Sequence, residues 1–312
     1  MQEIRKLDKV DSKLVDALTI NSRATNLELA KKCKISKETA GYRISRLETL
    51  GIIKKYVPLV DLSALGLDAY GVCLRFAISN DSQRNEIISN IISSKFVSWA
   101  STTSGDFDIV FAILAKDTLD FQNKYQQLIA NMRNLISYEA FALRLSLKKN
   151  NAELVSSNKL AKIDDVDKKI LAQLCQNARI SLIDIYKQTK IPPTTALSRI
   201  RSLEKNKIIQ GYTVLLDTRK LGKTSYQVFL KTTAVSSQMT KSLITCCESN
   251  KVIFFFVQTL GEWNFEISVQ ASSGEELRTA LDEIKRILGT SLVFCRVLIT
   301  DDYYAKYTPV IL

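Results

Sequence analysis

Two short stretches place hydroxyl, basic and aromatic side chains where a helix could offer them to a nucleic acid. The first runs Lys37-Glu38-Thr39-Ala40-Gly41-Tyr42-Arg43-Ile44-Ser45-Arg46-Leu47. The second runs Pro193-Thr194-Thr195-Ala196-Leu197-Ser198-Arg199-Ile200-Arg201-Ser202-Leu203. At about 100° per residue, Ala40, Ile44 and Leu47 make one apolar stripe. Glu38, Tyr42, Ser45 and Arg46 then point away from it, with Thr39 and Arg43 at its flanks. In the second stretch Thr194, Ser198, Arg201 and Ser202 point outward, flanked by Thr195 and Arg199. Hydroxyls, a tyrosine and forked guanidiniums suit base edges and phosphates in a major groove. The candidate DNA contacts are therefore Lys37, Thr39, Tyr42, Arg43 and Arg46, and Thr194, Thr195, Ser198, Arg199 and Arg201. One such helix is equally well an ordinary solvated surface. Two of them, both basic, favour DNA.

The two stretches are parts of a longer repeat. Asp8 and Asp11 fall on Asp164 and Asp167 at an offset of 156 residues. The same offset carries Asn21 onto Asn177, Arg23 onto Arg179, Thr39 onto Thr195 and Arg43-Ile44 onto Arg199-Ile200. It also carries Leu47-Glu48 onto Leu203-Glu204, Tyr56 onto Tyr212, Asp61 onto Asp217 and, without a gap, Gly105 onto Gly261. One unit is written twice. The polar stretch from Lys148 to Lys162 reads as the join.

Each unit must position its basic helix. In the first, Val10, Leu14, Val15 and Leu18 recur at helical spacing, and Leu27, Leu29 and Ala30 mark a short second helix. Ser36 can cap the third, and Gly51 ends it. Ile52 to Leu59 then alternates as the strand of a wing. Three short helices followed by a strand describe a winged helix-turn-helix. The rest alternates as strand Ala69–Ile78, helix Arg84–Ser93, strands Phe96–Thr103 and Asp108–Ala115, helix Leu119–Met132 and strand Ile136–Leu147. That βαββαβ order predicts a ferredoxin-like sandwich, and the second copy repeats it. The expected fold class is α+β. Its parts are a winged helix-turn-helix over 1–60, a ferredoxin-like domain over 61–150, a linker over 151–162, a second head over 163–216 and a second ferredoxin-like domain over 217–312.

Composition narrows the chemistry. The net charge is +12, and it is concentrated. Residues 1–60 hold 13 Lys and Arg against 7 Asp and Glu, and residues 159–212 hold 11 against 5, whereas 61–150 hold 9 of each. Positive charge gathered on the two helical segments points to a polyanion. The chain has no histidine, which removes Ser-His and Cys-His nucleophile pairs and the commonest transition-metal ligand. No cofactor, metal site or catalysis is expected. The six cysteines include no C-x-x-C pair and read as buried apolar residues in a reducing compartment. The charged start, Met1 to Lys6, is unlike a secretory signal, and the apolar run Val252 to Val257 is far short of the about 20 residues of a membrane span. A soluble, cytoplasmic protein is expected.

Leu7-Asp8-Lys9-Val10-Asp11, Asn21-Ser22-Arg23-Ala24, Pro193 to Glu204, and Ile209-Gln-Gly-Tyr-Thr-Val-Leu-Leu-Asp217 followed by Leu221-Gly222 resemble the Lrp/AsnC, or feast/famine, family of prokaryotic regulators. The resemblance covers nearly the whole chain, once per half. It implies a DNA-binding transcription regulator that assembles as a homo-oligomer, or as an intramolecular pseudo-dimer here, and that answers to a small amino-acid-like effector. It also implies that a Gly-x-aromatic-Asp turn of the RAM (ACT-like) sensor lines the effector site. That turn appears as Gly105-Asp106-Phe107-Asp108 and as Gly261-Glu262-Trp263-Asn264. Asp108 could hold an ammonium group, while a structural turn whose Asp bonds its own backbone is the plainer reading. The sequence departs from the family in having two units, in placing Ser36-Lys37 opposite Pro192-Pro193, and in ending the second turn with Asn264. Two other readings are a sirohaem decarboxylase, whose enzymes resemble the same family, and an architectural protein binding DNA weakly everywhere.

Overall fold

The computed structural model describes residues 7–78, 80–149, 152–154 and 160–305. The first half runs α1 (Lys9–Ile20), α2 (Asn26–Cys33), α3 (Lys37–Thr49), β1 (Ile53–Val60), β2 (Asp68–Phe76), α4 (Asp81–Ser93), β3 (Val97–Ser104), β4 (Ile109–Ala115), α5 (Thr118–Ile129) and β5 (Ile136–Lys149). A short β6 (Ala152–Leu154) hairpins onto the end of β5. The second half runs α6 (Asp165–Gln176), α7 (Leu182–Thr189), α8 (Pro193–Lys205), β7 (Ile209–Leu216), β8 (Thr224–Thr232), α9 (Ser237–Ser249), β9 (Ile253–Gly261), β10 (Phe265–Ala271), α10 (Gly274–Leu288) and β11 (Leu292–Ala305). Part of the expected linker is thus strand, and 151 and 155–159 of it lie outside the described residues.

The chain forms two compact units, and each draws on both halves. One contains the two three-helix heads, residues 7–61 and 160–223. The strand expected to form a wing in each head pairs instead across the repeat. β1 runs antiparallel to β7, with Tyr56 opposite Val214 and Pro58 opposite Tyr212. Beyond the ladder, Asp217 N–H donates to the carbonyl of Ile52 and Asp61 N–H to that of Ile208. These strands therefore join the heads.

The other unit holds both ferredoxin-like copies. Helices α4 and α5 cover one sheet, whose alternate residues Val72, Leu74, Ile109, Phe111 and Ile113 pack beneath them. Helices α9 and α10 cover the other, over Val228, Leu230, Phe265, Ile267 and Val269. The strands continue from one copy to the next in the order β2-β4-β3-β11-β8-β10-β9-β5, all antiparallel, and β5 pairs again with β2. Eight strands thereby close on themselves. Closure is the arrangement that removes exposed sheet edges. The opposite faces of these strands meet in a shared interior of Cys73, Phe107, Val110, Ala140, Ala142, Phe229, Trp263 and Leu298. Period-two alternation explains how Val110 can join this interior while its neighbours Ile109 and Phe111 face helices. Among the described residues no helix is long and apolar enough to cross a membrane.

Candidate nucleic-acid interface

Both basic helices are set by local chemistry. Thr25 accepts a hydrogen bond from Glu28 N–H, and the Glu28 carboxylate accepts from Thr25 N–H, a reciprocal cap that starts α2. At its end Lys34 sits in the left-handed region at φ 56°, and Ser36 then caps α3 by accepting from Thr39 N–H at 3.0 Å. In the second head Ser181 caps α7 by accepting from Asp184 N–H at 3.0 Å, and Lys190 takes φ 61°. Here α8 has no side-chain cap and starts with Pro193, whose fixed φ and missing N–H suit a first helical position. A lysine at positive φ is uncommon, since left-handed backbone crowds its Cβ. Its recurrence at 34 and 190 places an exposed ammonium at the same tight turn in both heads. Sequence reading passed over these lysines, although the repeat aligned them.

The buried stripes are Ala40, Ile44 and Leu47 on α3 and Ala196, Ile200 and Leu203 on α8. Lys37, Tyr42 and Arg46 are exposed, Tyr42 to 70%, with Thr39 half-buried. Thr194, Thr195, Ser198 and Arg201 are exposed on α8. The arginines divide into two kinds. Arg43 Nη1 donates to Asp8 at 2.5 Å and to Asp11 at 2.9 Å, and Arg46 also donates to Asp11, which is buried at the start of α1. Arg199 bonds Asp164 at 2.8 Å and buried Asp167 at 3.3 Å. The Arg43 hydrogen bond holds the Asp8 carboxyl below the usual range, and the N–H of Asp167 does the same for Asp164. Three of the expected DNA contacts thus clamp the recognition helix to the first helix of its own head. Arg201 makes no such pair among the described residues.

The heads are clasped to each other by equivalent residues. Arg23 Nη1 donates to the carbonyl of Ala178 at 2.7 Å, and its guanidinium lies 5.3 Å from the ring centroid of Tyr212. Arg179 donates to the carbonyls of Ser22 and Ala24 and lies 5.3 Å from the ring of Tyr56. Tyr56 and Tyr212 in turn donate to Glu48 and Glu204 near the ends of α3 and α8. Burial pushes both phenols well above their ordinary pKa, so they stay donors.

The two sensor turns are built alike. Gly105 and Gly261 have φ of 132° and 149°. Phe107 and Trp263 are buried in the shared interior. Asp108 accepts from Phe76 N–H at 2.8 Å and pairs with Arg84 at 3.2 Å. Asn264 accepts from the equivalent Thr232 N–H at 2.8 Å. Both side chains thus bond a neighbouring strand, 32 residues away in the chain, and not the backbone of their own turn. The carboxylates left at the surface are Asp106 and Glu262, equivalent positions that both approach Arg296, at 3.4 and 3.9 Å.

Two capped helix-turn-helix heads held as one unit define a DNA-binding regulator, and comparison with known proteins agrees. Residues 7–48 match the AsnC-type helix-turn-helix domain, and residues 163–210 match a winged helix-turn-helix DNA-binding model. An uncharacterised HTH-type transcriptional regulator of Pyrococcus horikoshii is 30% identical over 141 residues, which are 45% of this chain and 94% of that protein. The leucine-responsive regulatory protein of Rhizobium meliloti is 30% identical over 119 residues, 38% of this chain and 76% of that one. Across nearly the full length, the crystal structure of the siroheme decarboxylase NirDL shares the fold, with a TM-score of 0.63 at 12% identity, covering 95% of this chain and 92% of that one. The chain belongs to the Lrp/AsnC family of transcription regulators, with the family unit present twice.

Proposed function

We propose that this regulator reads DNA with two unequal heads supplied by one chain. The observation that carries this is the joining of the two heads in a single unit through β1 and β7, with different residues at the exposed faces of α3 and α8. Tyr42 stands where the second helix has Ser198, and Ser45 where it has Arg201. Paired heads on one face of DNA address half-sites about one helical turn apart, some 34–36 Å. The two half-sites should be related but different. On this reading Lys34, Lys37, Lys190, Thr39, Thr194 and Thr195 contact phosphates, while Tyr42, Ser198 and Arg201 reach base edges. Arg43, Arg46 and Arg199 hold the helices at the correct angle. Selection of bound sequences from a random pool at physiological salt tests the reading, with affinity falling steeply as salt rises because counterions are released. A perfectly palindromic site, a flat salt response or no enrichment would overturn it.

An amino-acid-like effector would be met by the surface carboxylates Asp106 and Glu262 together with Arg296, which lies near both, so that an ammonium faces the carboxylates and a carboxylate faces the guanidinium. Calorimetry across the common amino acids, with Asp106→Asn as control, tests this. The whole-chain likeness in fold to a siroheme decarboxylase brings one alternative, tetrapyrrole decarboxylation. A histidine-free chain supplies no imidazole for it. Incubation with sirohaem separates the readings: a change in absorbance that tracks loss of carboxylate supports the enzyme, and an unchanged spectrum the regulator.

A further inference from the structure

One ion pair crosses the interior of the sensor unit. Arg144 of β5, in the first half, lies with Nε 3.1 Å from Oε2 of Glu266 on β10, in the second. The Glu266 side chain is 4% exposed and that of Arg144 16%. Trp263 Nε1 donates to the other carboxylate oxygen at 3.0 Å, and the guanidinium sits 5.2 Å from the ring centroid of Trp99. Neither Arg144 Nε nor Glu266 Oε2 has a hydrogen-bond partner among the described residues, so each charge depends on the other. Gly71 leaves the carboxylate its room, since a Cβ there would come within 3.2 Å of Glu266 Oε1.

The repeat makes this arrangement one-sided. At the 156-residue offset Arg144 corresponds to Thr300, Glu266 to Val110 and Gly71 to Gln227. The equivalent place across the interior therefore holds Thr300 and Val110, with no charge. We propose that Arg144, Glu266 and Gly71 code the sensor interface, so that a first-half sensor accepts a second-half sensor, its own or another copy's, and rejects its like. Two first halves would bury two guanidiniums, each against Val110. Two second halves would bury two carboxylates, each against Thr300, with Gln227 filling the space that Gly71 leaves open. An uncompensated buried charge is strongly unfavourable, whereas a matched pair adds little net stability over an apolar replacement. The pair therefore discriminates between partners more than it strengthens the interface.

Three full-length variants, each also carrying Gln227→Gly so that position 110 has the room that Gly71 gives Glu266, test the code without touching the heads. Glu266→Val with Thr300→Arg gives both sensors the positive position. Arg144→Thr with Val110→Glu gives both the negative one. Arg144→Thr with Glu266→Val removes the pair. The pair-free chain should unfold within a few degrees of the native chain. Each recoded chain should lose roughly 10 °C in Tm. Refolded together, the two recoded chains should regain native-like Tm and appear as a 1:1 mixed species in native mass spectrometry. The proposal falls if the recoded chains match the pair-free chain, if the pair-free chain unfolds as early as they do, or if mixing rescues neither.

Discussion

The guanidinium of Arg179 covers the ring of Tyr56 at 5.3 Å, and this contact joins the second head to the first. The same side chain donates to the carbonyls of Ser22 and Ala24 and to the Asn26 side chain. Its mirror, Arg23 over Tyr212, donates to a single carbonyl, that of Ala178. Arg179→Ala should therefore cost more, about 2–3 kcal/mol, than Arg23→Ala, about 1–2 kcal/mol. Arg179→Lys should recover little, because an ammonium has three donors on one atom but neither the planar face that lies over Tyr56 nor the separated nitrogens that reach these acceptors. Urea unfolding midpoints of the full chain check the order, and equal midpoints for the two alanine variants would contradict it.

Arginines on the recognition helices should separate into two classes of mutant. Arg201→Ala removes a free guanidinium and should weaken specific DNA binding by about 1–3 kcal/mol while leaving the unfolding midpoint unchanged. Arg43→Ala strips Asp11 of one partner at a buried site, so it should lower stability as well as affinity. Anisotropy titrations paired with thermal unfolding distinguish the two. A stability loss in Arg201→Ala would show that it, too, is structural.

The pH dependence follows from the clamps. Folding depresses the pKa of Asp8 through Arg43 and that of Asp164 through the Asp167 N–H. Their contribution is therefore present above the unfolded carboxylate value of about 3.9 and is lost as pH falls through the lower folded value. Between pH 5 and 8 there is no histidine to titrate, and burial raises Cys33 and Cys247 and pushes Cys175 up to about 12. Stability should be level across that range and fall below about pH 4. Replacing Asp8 and Asp164 with Asn should lower the plateau and soften the acid limb.

The sensor turns should tolerate a methyl group unequally. At Gly261 a Cβ would meet the carbonyl oxygen of Phe141 at 2.4 Å and the Cα of Ala142 at 2.8 Å, both backbone. At Gly105 the nearest atom is Leu298 Cδ2 at 3.0 Å, the end of a side chain. Both glycines have positive φ, so both alanine variants carry strain, but Gly261→Ala should cost roughly 3 kcal/mol or more and Gly105→Ala less. Denaturant midpoints decide it.

The helical heads were legible because their signals are local. Val10, Leu14 and Leu18 keep helical spacing, Ser36 is a cap, and the stripe Ala40, Ile44 and Leu47 is buried as periodicity requires. The order of strands and helices in the sensor copies was legible for the same reason. What a strand pairs with is not local information. The alternation from Ile52 to Leu59 fits a wing and an inter-head ladder equally, and only β7, some 156 residues away, decides between them. Likewise Arg43 has the chemistry of a phosphate contact until folding brings Asp8 and Asp11 beside it. Asp108 has the chemistry of an ammonium partner until Phe76 N–H and Arg84 arrive.

The closed ring of strands also sets an order of events at the ribosome. β3 and β5 belong to the first half, and their partners across the repeat, β11 and β9, are made only with the second half. At typical synthesis rates of about 5–20 residues per second, the edge of β5 waits roughly 5–20 s and that of β3 roughly 10–40 s with their N–H and C=O groups unpaired. A nascent first half is therefore a template for any passing strand, its twin on a neighbouring ribosome included. We expect slow translation of the second half to raise aggregation, and synonymous slow codons after residue 160 provide the measurement; an unchanged soluble yield would show that the waiting edges are already protected.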